Sequence, residues 1–144
     1  MNYLETSALQ NAHQSLRDTI AQLAQTEWFE AQTPIIQDTL IAGAIQKFEF
    51  VYELSVKMIK RQLKLSALSD DEIDSADFCD ILRYAVKQGL IENIDNWLIY
   101  RTMRNIASHT YNQTKAQEVY QKIADFLSSS EFLLQQLQQR HPHD

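Results

Sequence analysis

"QKFEFVYELSVKMIKRQLK" (Gln46–Lys64) is the stretch whose reading decides the fold. At about 100° per residue, Gln46, Glu49, Glu53, Lys57, Lys60 and Lys64 fall within one narrow arc of a helical wheel. Most of the remaining circumference is apolar or aromatic: Phe48, Phe50, Val51, Tyr52, Leu54, Val56, Met58, Ile59 and Leu63. A surface helix needs an apolar stripe only a little over ~100° wide, and this one has roughly twice that. Either it is the central helix of a bundle, or its second face meets another chain. The second reading is favoured, because a bundle of about five helices on 144 residues has little room for a fully central one.

The flanking sequence supplies those helices. Thr33-Pro34 is a start signal: threonine can cap, and proline is pre-set for the first helical position. The long helix is therefore expected from there to about Leu65, with Gly43 as its weak point. Before it, Leu9, Ala12, Leu16, Ile20, Leu23 and Ala24 recur at three- and four-residue spacing and predict a helix over about 3–24, followed by a loop around Thr26 to Gln32. After it, Ser69–Glu72 and Asp74-Ser75 offer caps for a shorter third helix that Gly89 ends. Asp95 can cap a fourth helix running to about Ala107. Thr114 to Gln117 has a capping-box pattern and opens a last helix to about Gln139. Residues 139–144 read as a frayed tail. The expected architecture is a single all-α domain over 1–144, an up-and-down bundle of about five helices that dimerises.

Composition agrees. There are only two Gly and two Pro, too few for the tight turns of a sheet protein. No apolar run approaches the ~20 residues that span a bilayer, and the N-terminus lacks the basic and apolar regions of a secretory signal. Cys79 is alone, which excludes an intrachain disulfide, favours a reducing cytoplasm, and makes it a small core residue rather than a nucleophile. A net charge of −6 argues against a general nucleic-acid coat but not against a small basic cleft.

The chemistry concentrates in "RNIASHTYN" (Arg104–Asn112). Arg104 and Ser108 are four apart, as are Asn105 and His109, so each pair would share a helix face. Arg104 and His109 would lie about 140° apart on a regular helix. They converge only if the helix breaks near His109 or if a two-fold axis brings two chains to one cleft. Arginine offers a charged fork for phosphate, and histidine can move a proton on or off a ribose hydroxyl. Neither role needs a metal. Against this stands a structural arginine and a helix-end histidine on the helix dipole, which spacing alone favours. Trp97, Tyr100 and Arg101 beside Arg104 could form a base and phosphate platform, but on these residues alone a core aromatic pair with solvated arginines is the better reading.

Other clusters are weaker. Asp70, Asp71, Glu72, Asp74, Asp77 and Asp80 lack the glycine and terminal glutamate of a calcium loop and read as a solvated acidic stretch. His141 and His143 read as part of the tail, and His13 as a surface residue. No phosphate loop, zinc spacing or serine elbow is present, and no metal ligand set is assigned.

The motif Arg, four residues, His, one residue, Tyr in "RNIASHTY" is similar to the signature of HEPN-domain proteins, in the branch paired with a minimal nucleotidyltransferase. "QKFEFVYELSVKMIKRQL" (Gln46–Leu63) and "AVKQGLIENIDNWLIYRTMRN" (Ala85–Asn105) resemble the family of nucleotidyltransferase substrate-binding proteins. The resemblance covers about residues 33–126. It implies a dimerising helical bundle with a separately encoded small nucleotidyltransferase as partner. It further implies that Arg104 holds a scissile phosphate, Asn105 helps orient it, His109 is the acid/base, and Tyr111 is the acceptor of AMP. Trp97, Tyr100, Arg101 and Ser108 would be possible substrate contacts. No intrinsic cofactor is implied; ATP and magnesium would be used by the partner. Two functions follow from the resemblance: a toxin-like, metal-independent endoribonuclease acting on RNA and silenced by AMP transfer to Tyr111, or a non-catalytic substrate- or nucleotide-binding subunit.

Overall fold

A computed structural model of the chain describes residues 4–66, 68–109 and 112–142. Among them there are eight helices and no strand: α1 (Ser7–Leu23), α2 (Thr26–Glu30), α3 (Pro34–Ser66), α4 (Asp70–Ser75), α5 (Phe78–Lys87), α6 (Ile94–His109), α7 (Gln113–Gln121) and α8 (Ile123–Arg140). None is long and apolar enough to cross a membrane. The all-α class is as the sequence predicts; the helix count is not. The expected loop after α1 contains the single turn and a half of α2. The expected third helix is divided, because Ala76 and Asp77 are extended and the Asp77 carboxylate accepts a fresh cap bond from the Asp80 N–H at 2.8 Å. The expected last helix bends at Lys122, where an i→i−3 bond to Val119 replaces the regular one.

Local signals explain most boundaries. Thr33 starts α3 through its hydroxyl, 3.4 Å from the Ile36 N–H, and its carbonyl, which accepts from Gln37. Ser69 and Glu72 form a reciprocal capping box on α4. Gly89 ends α5 with φ +76°, the left-handed conformation that glycine tolerates. There Gly89 donates to the Val86 carbonyl and Leu90 to the Ala85 carbonyl, the paired bonds of a Schellman ending. Two caps differ from expectation. Asn93, not Asp95, caps α6 by accepting from the Asn96 N–H at 2.9 Å. Asn112, not Thr114, caps α7 by accepting from Thr114 and Lys115. Each asparagine precedes the predicted residue and leaves it inside the first turn.

The long helix α3 is central. It packs against α1, α4, α5, α6, α7 and α8, so most of its wide apolar circumference is consumed within the chain. Most of that face therefore follows the central-helix alternative: short helices divide the surrounding shell, and more of them fit around one axis than five long ones would. Phe50 remains outside, 58 % exposed. The core centres on a ring cluster that joins α3, α6 and α8. Phe126 meets Phe48 at 4.8 Å, Tyr100 at 5.1 Å and Trp97 at 6.0 Å between centroids, all edge-on. Such pairs contribute about 0.5–1.5 kcal/mol each beyond burial.

Two histidines lie where sequence reading does not put them. His13 is buried, with Nε2 3.3 Å from the Leu127 carbonyl, because it projects from the apolar face of α1 between Leu9 and Leu16. His141 is not frayed. Its Nδ1 accepts from the Leu4 N–H at 3.1 Å, so its Nε2 carries the proton shared with Gln62 Oε1 at 2.6 Å. This ties both ends of the described chain to α3. His143 lies outside the described residues.

Candidate functional site

α6 positions the motif. Trp97, Tyr100 and Met103 recur every three residues and bury the helix against α3 and α8. This leaves Arg101, Asn105, Ser108 and His109 exposed and Arg104 half-buried. Trp97 and Tyr100 are 1 % and 2 % exposed, so they are not a substrate platform; their rings are spent in the core cluster. The Tyr100 hydroxyl donates to the Asp125 carbonyl at 3.2 Å and shares a 2.6 Å hydrogen bond with Ser129. Burial raises its phenol above the ordinary value, with the Ser129 bond opposing. Burial likewise pushes Tyr52 up to about 12, against the pull of nearby Arg101 and Arg104. Both phenols stay neutral and structural. Arg101 is exposed and lies over the Phe78 ring, 5.0 Å from its centroid.

Arg104 and Ser108 face α3. Arg104 Nη2 donates to Glu53 Oε1 at 2.7 Å, and Ser108 Oγ donates to Glu49 Oε2 at 2.8 Å. Residue 49 pairs with 108 and residue 53 with 104, so α3 and α6 run antiparallel here and two four-residue spacings are locked in register. The ion pair is exposed, while Arg104 Nε is enclosed and has no hydrogen-bond partner among the described residues. Asn105 and His109 share the adjoining exposed face. Tyr111 lies outside the described residues.

Because α6 stays helical through His109, the expected break comes too late to swing that imidazole toward Arg104. Within the described chain the two remain on different faces. Sequence reasoning missed Glu49 and Glu53 as site residues. Their signal was present, a four-residue carboxylate spacing matching that of Arg104 and Ser108, but it sat within an arc that reads as solvated surface.

Four of the six carboxylates of the acidic stretch are engaged locally. Glu72 and Asp77 cap helices, Asp74 pairs with Lys64 at 2.8 Å, and Asp80 pairs with Arg83.

A family described as "Nucleotidyltransferase substrate binding protein like" matches residues 4–139. The chain belongs to that family. Its HEPN resemblance is thereby placed on nearly the whole chain. The sequence is 55 % identical over 141 residues to the "Probable ribonuclease HepT" of Haemophilus influenzae, covering 98 % of this chain and 97 % of that one. A solved Haemophilus influenzae structure, described as the fold of a substrate-binding domain of a nucleotidyltransferase, superposes with a TM-score of 0.90 at 54 % identity, covering 93 % of this chain and 99 % of that one. A Thermus thermophilus structure shares the fold alone, with a TM-score of 0.59 at 23 % identity over 85 % of this chain and 98 % of that one.

Proposed function

We propose that the chain is the HEPN-type subunit of a two-component system with a separately encoded small nucleotidyltransferase, and that it is a toxin-like, metal-independent endoribonuclease. The observation that carries this reading is that one rigid helix, α6, holds an arginine in an exposed ion pair and, on an adjoining face, an exposed histidine. Arg104 binds the scissile phosphate, and Asn105 helps orient it. His109 takes the ribose 2′-hydroxyl proton as the 2′-oxygen bonds to phosphorus. The bond to the 5′-oxygen breaks, and that oxygen takes a proton from water. A two-fold dimer brings Arg104 of one chain toward His109 of the other, which a straight α6 does not do alone. Exposed Phe50, beside Glu49 and Glu53, supports a homodimer through this side.

AMP transferred from ATP to Tyr111 by the magnesium-dependent partner, with release of pyrophosphate, would add a phosphate that competes with the substrate phosphate for Arg104. A cytoplasmic home accords with RNA and ATP as reactants. The description attached to the Haemophilus structure favours a second reading, in which the subunit binds substrate or nucleotide for its partner without cutting RNA. The pair tests the first reading directly. Incubated with ATP and Mg²⁺, the chain should gain AMP masses that Tyr111→Phe abolishes, and RNA cleavage should fall as they accumulate. Unchanged mass, or cleavage unaffected by modification, would reject the silencing step.

A further inference from the structure

A groove of about 220 Å³ lies between α3, α6 and α7. Its walls are aliphatic, with Ile45, Ile106 and Val119 prominent. Its polar lining is Asp38, Glu49 and Gln113. Glu49 also accepts the Ser108 hydroxyl at 2.8 Å, so one side chain belongs both to the groove and to the motif face. Glu53, which holds Arg104, is one turn further along α3, about 6 Å at 1.5 Å per residue. The Gln113 amide donates to Asp38 Oδ1 at 3.5 Å, a long bond that a ligand group can replace.

We propose that this groove holds one nucleobase of the RNA whose phosphate sits on Arg104, and that it favours bases with an exocyclic amine over uracil. The inference deepens the ribonuclease reading and rests on its phosphate assignment. Size sets the class: the volume is below the ~300–1,000 Å³ that encloses a whole drug-sized ligand, yet it suits one flat ring. The aliphatic walls take the ring faces. Two carboxylates at the edge accept hydrogen bonds and donate none, so they match the amines of adenine, cytosine and guanine. Uracil offers those carboxylates only its single N3–H, flanked on both sides by carbonyl oxygens that they repel. The Gln113 amide can donate to a ring nitrogen while accepting from the amine beside it. The separation of one helical turn between groove and Arg104 is comparable to the reach from a base to its own phosphate. Single-stranded RNA is commonly read through such splayed bases.

Methyl and arginine side-chain NMR of the full chain with inorganic phosphate, AMP, CMP, GMP and UMP separates this inference from the reading beneath it. Phosphate should perturb the Arg104 side chain and leave the Ile45, Ile106 and Val119 methyls unmoved. AMP, CMP and GMP should shift those methyls, with UMP weaker by about fivefold or more, the scale of one good base contact. Ala42 is exposed at the groove. Ala42→Leu should fill it and reduce nucleotide affinity to that of phosphate. Gln113→Ala should leave the groove open but narrow the margin against UMP. Phosphate binding without methyl shifts from any nucleotide would overturn the groove assignment while the phosphate role stands. Equal binding of UMP would overturn the amine preference. Absence of any phosphate effect at Arg104 would instead overturn the phosphate assignment and this inference with it.

Discussion

Arg104 and Glu53 face each other across α6 and α3, with Nη2 2.7 Å from Oε1 in an exposed ion pair. Exposed pairs of this kind contribute only about 0–1 kcal/mol, so the carboxylate is a resting partner that a phosphate can displace. Glu53→Gln should therefore raise the affinity for an uncleavable RNA analogue by about two- to fivefold, the equivalent of such a pair. Fluorescence anisotropy at fixed salt measures it. Weaker binding would mean that Glu53 presents the arginine to substrate rather than competing for it.

Phe50 stands 58 % exposed on the same side of α3. Phe50→Glu should leave the fold intact, since surface changes are generally within about ±0.5 kcal/mol. It should shift the dimer toward monomer at micromolar concentration. Light scattering reads this; an unchanged dimer would move the interface elsewhere, and a monomeric parent chain would remove it.

Tyr100 tests the boundary between core and site. Tyr100→Phe removes the hydroxyl that bonds Ser129 and the Asp125 carbonyl but keeps the ring in its cluster. A loss of about 1–3 kcal/mol in chemical denaturation is expected, because a buried acceptor and hydroxyl lose a partner. RNA affinity measured on the folded variant should not change; a drop would return Tyr100 to the substrate surface.

Gly89 carries a left-handed φ of +76°. Gly89→Ala should cost about 1–2 kcal/mol, the left-handed penalty of an ordinary residue. A Cβ there would also come within 3.4 Å of Arg140 Nη2. Thermal unfolding at constant pH measures the effect, and an unchanged midpoint would mean that the turn relaxes.

The helical class, the Thr33-Pro34 start and the Gly89 stop are legible in sequence because each is a local property of a few residues. The role of α3 was not. The same wide apolar face suits a central helix and an interface helix, and only the number of neighbours decides between them. His13 and His141 were misplaced for a related reason: their partners, the Leu127 carbonyl, Gln62 and the Leu4 N–H, are distant in sequence. At the site, the spacing of Arg104, Ser108 and His109 was legible, but the opposing Glu49 and Glu53 follow from helix pairing, which single-helix periodicity does not contain. Trp97 and Tyr100 show the reverse case, where aromatics close to a motif in sequence point away from it.

A ribonuclease site assembled from two chains predicts complementation between inactive variants. Arg104→Ala and His109→Ala, each folded and dimeric, should each lose RNA cleavage by about 10²-fold or more, the scale of one acid–base or charge-stabilising group. Mixed and re-equilibrated, they form dimers in which one Arg104 meets one His109 across the two-fold axis. Random mixing makes half of the dimers hybrid, each with one intact site of two, so about a quarter of the parental activity should return. That recovery in the presence of chelator is the predicted result. No recovery in verified hybrid dimers would contradict a shared site, and RNA cleavage by either variant alone at the parental rate would contradict the ribonuclease assignment itself.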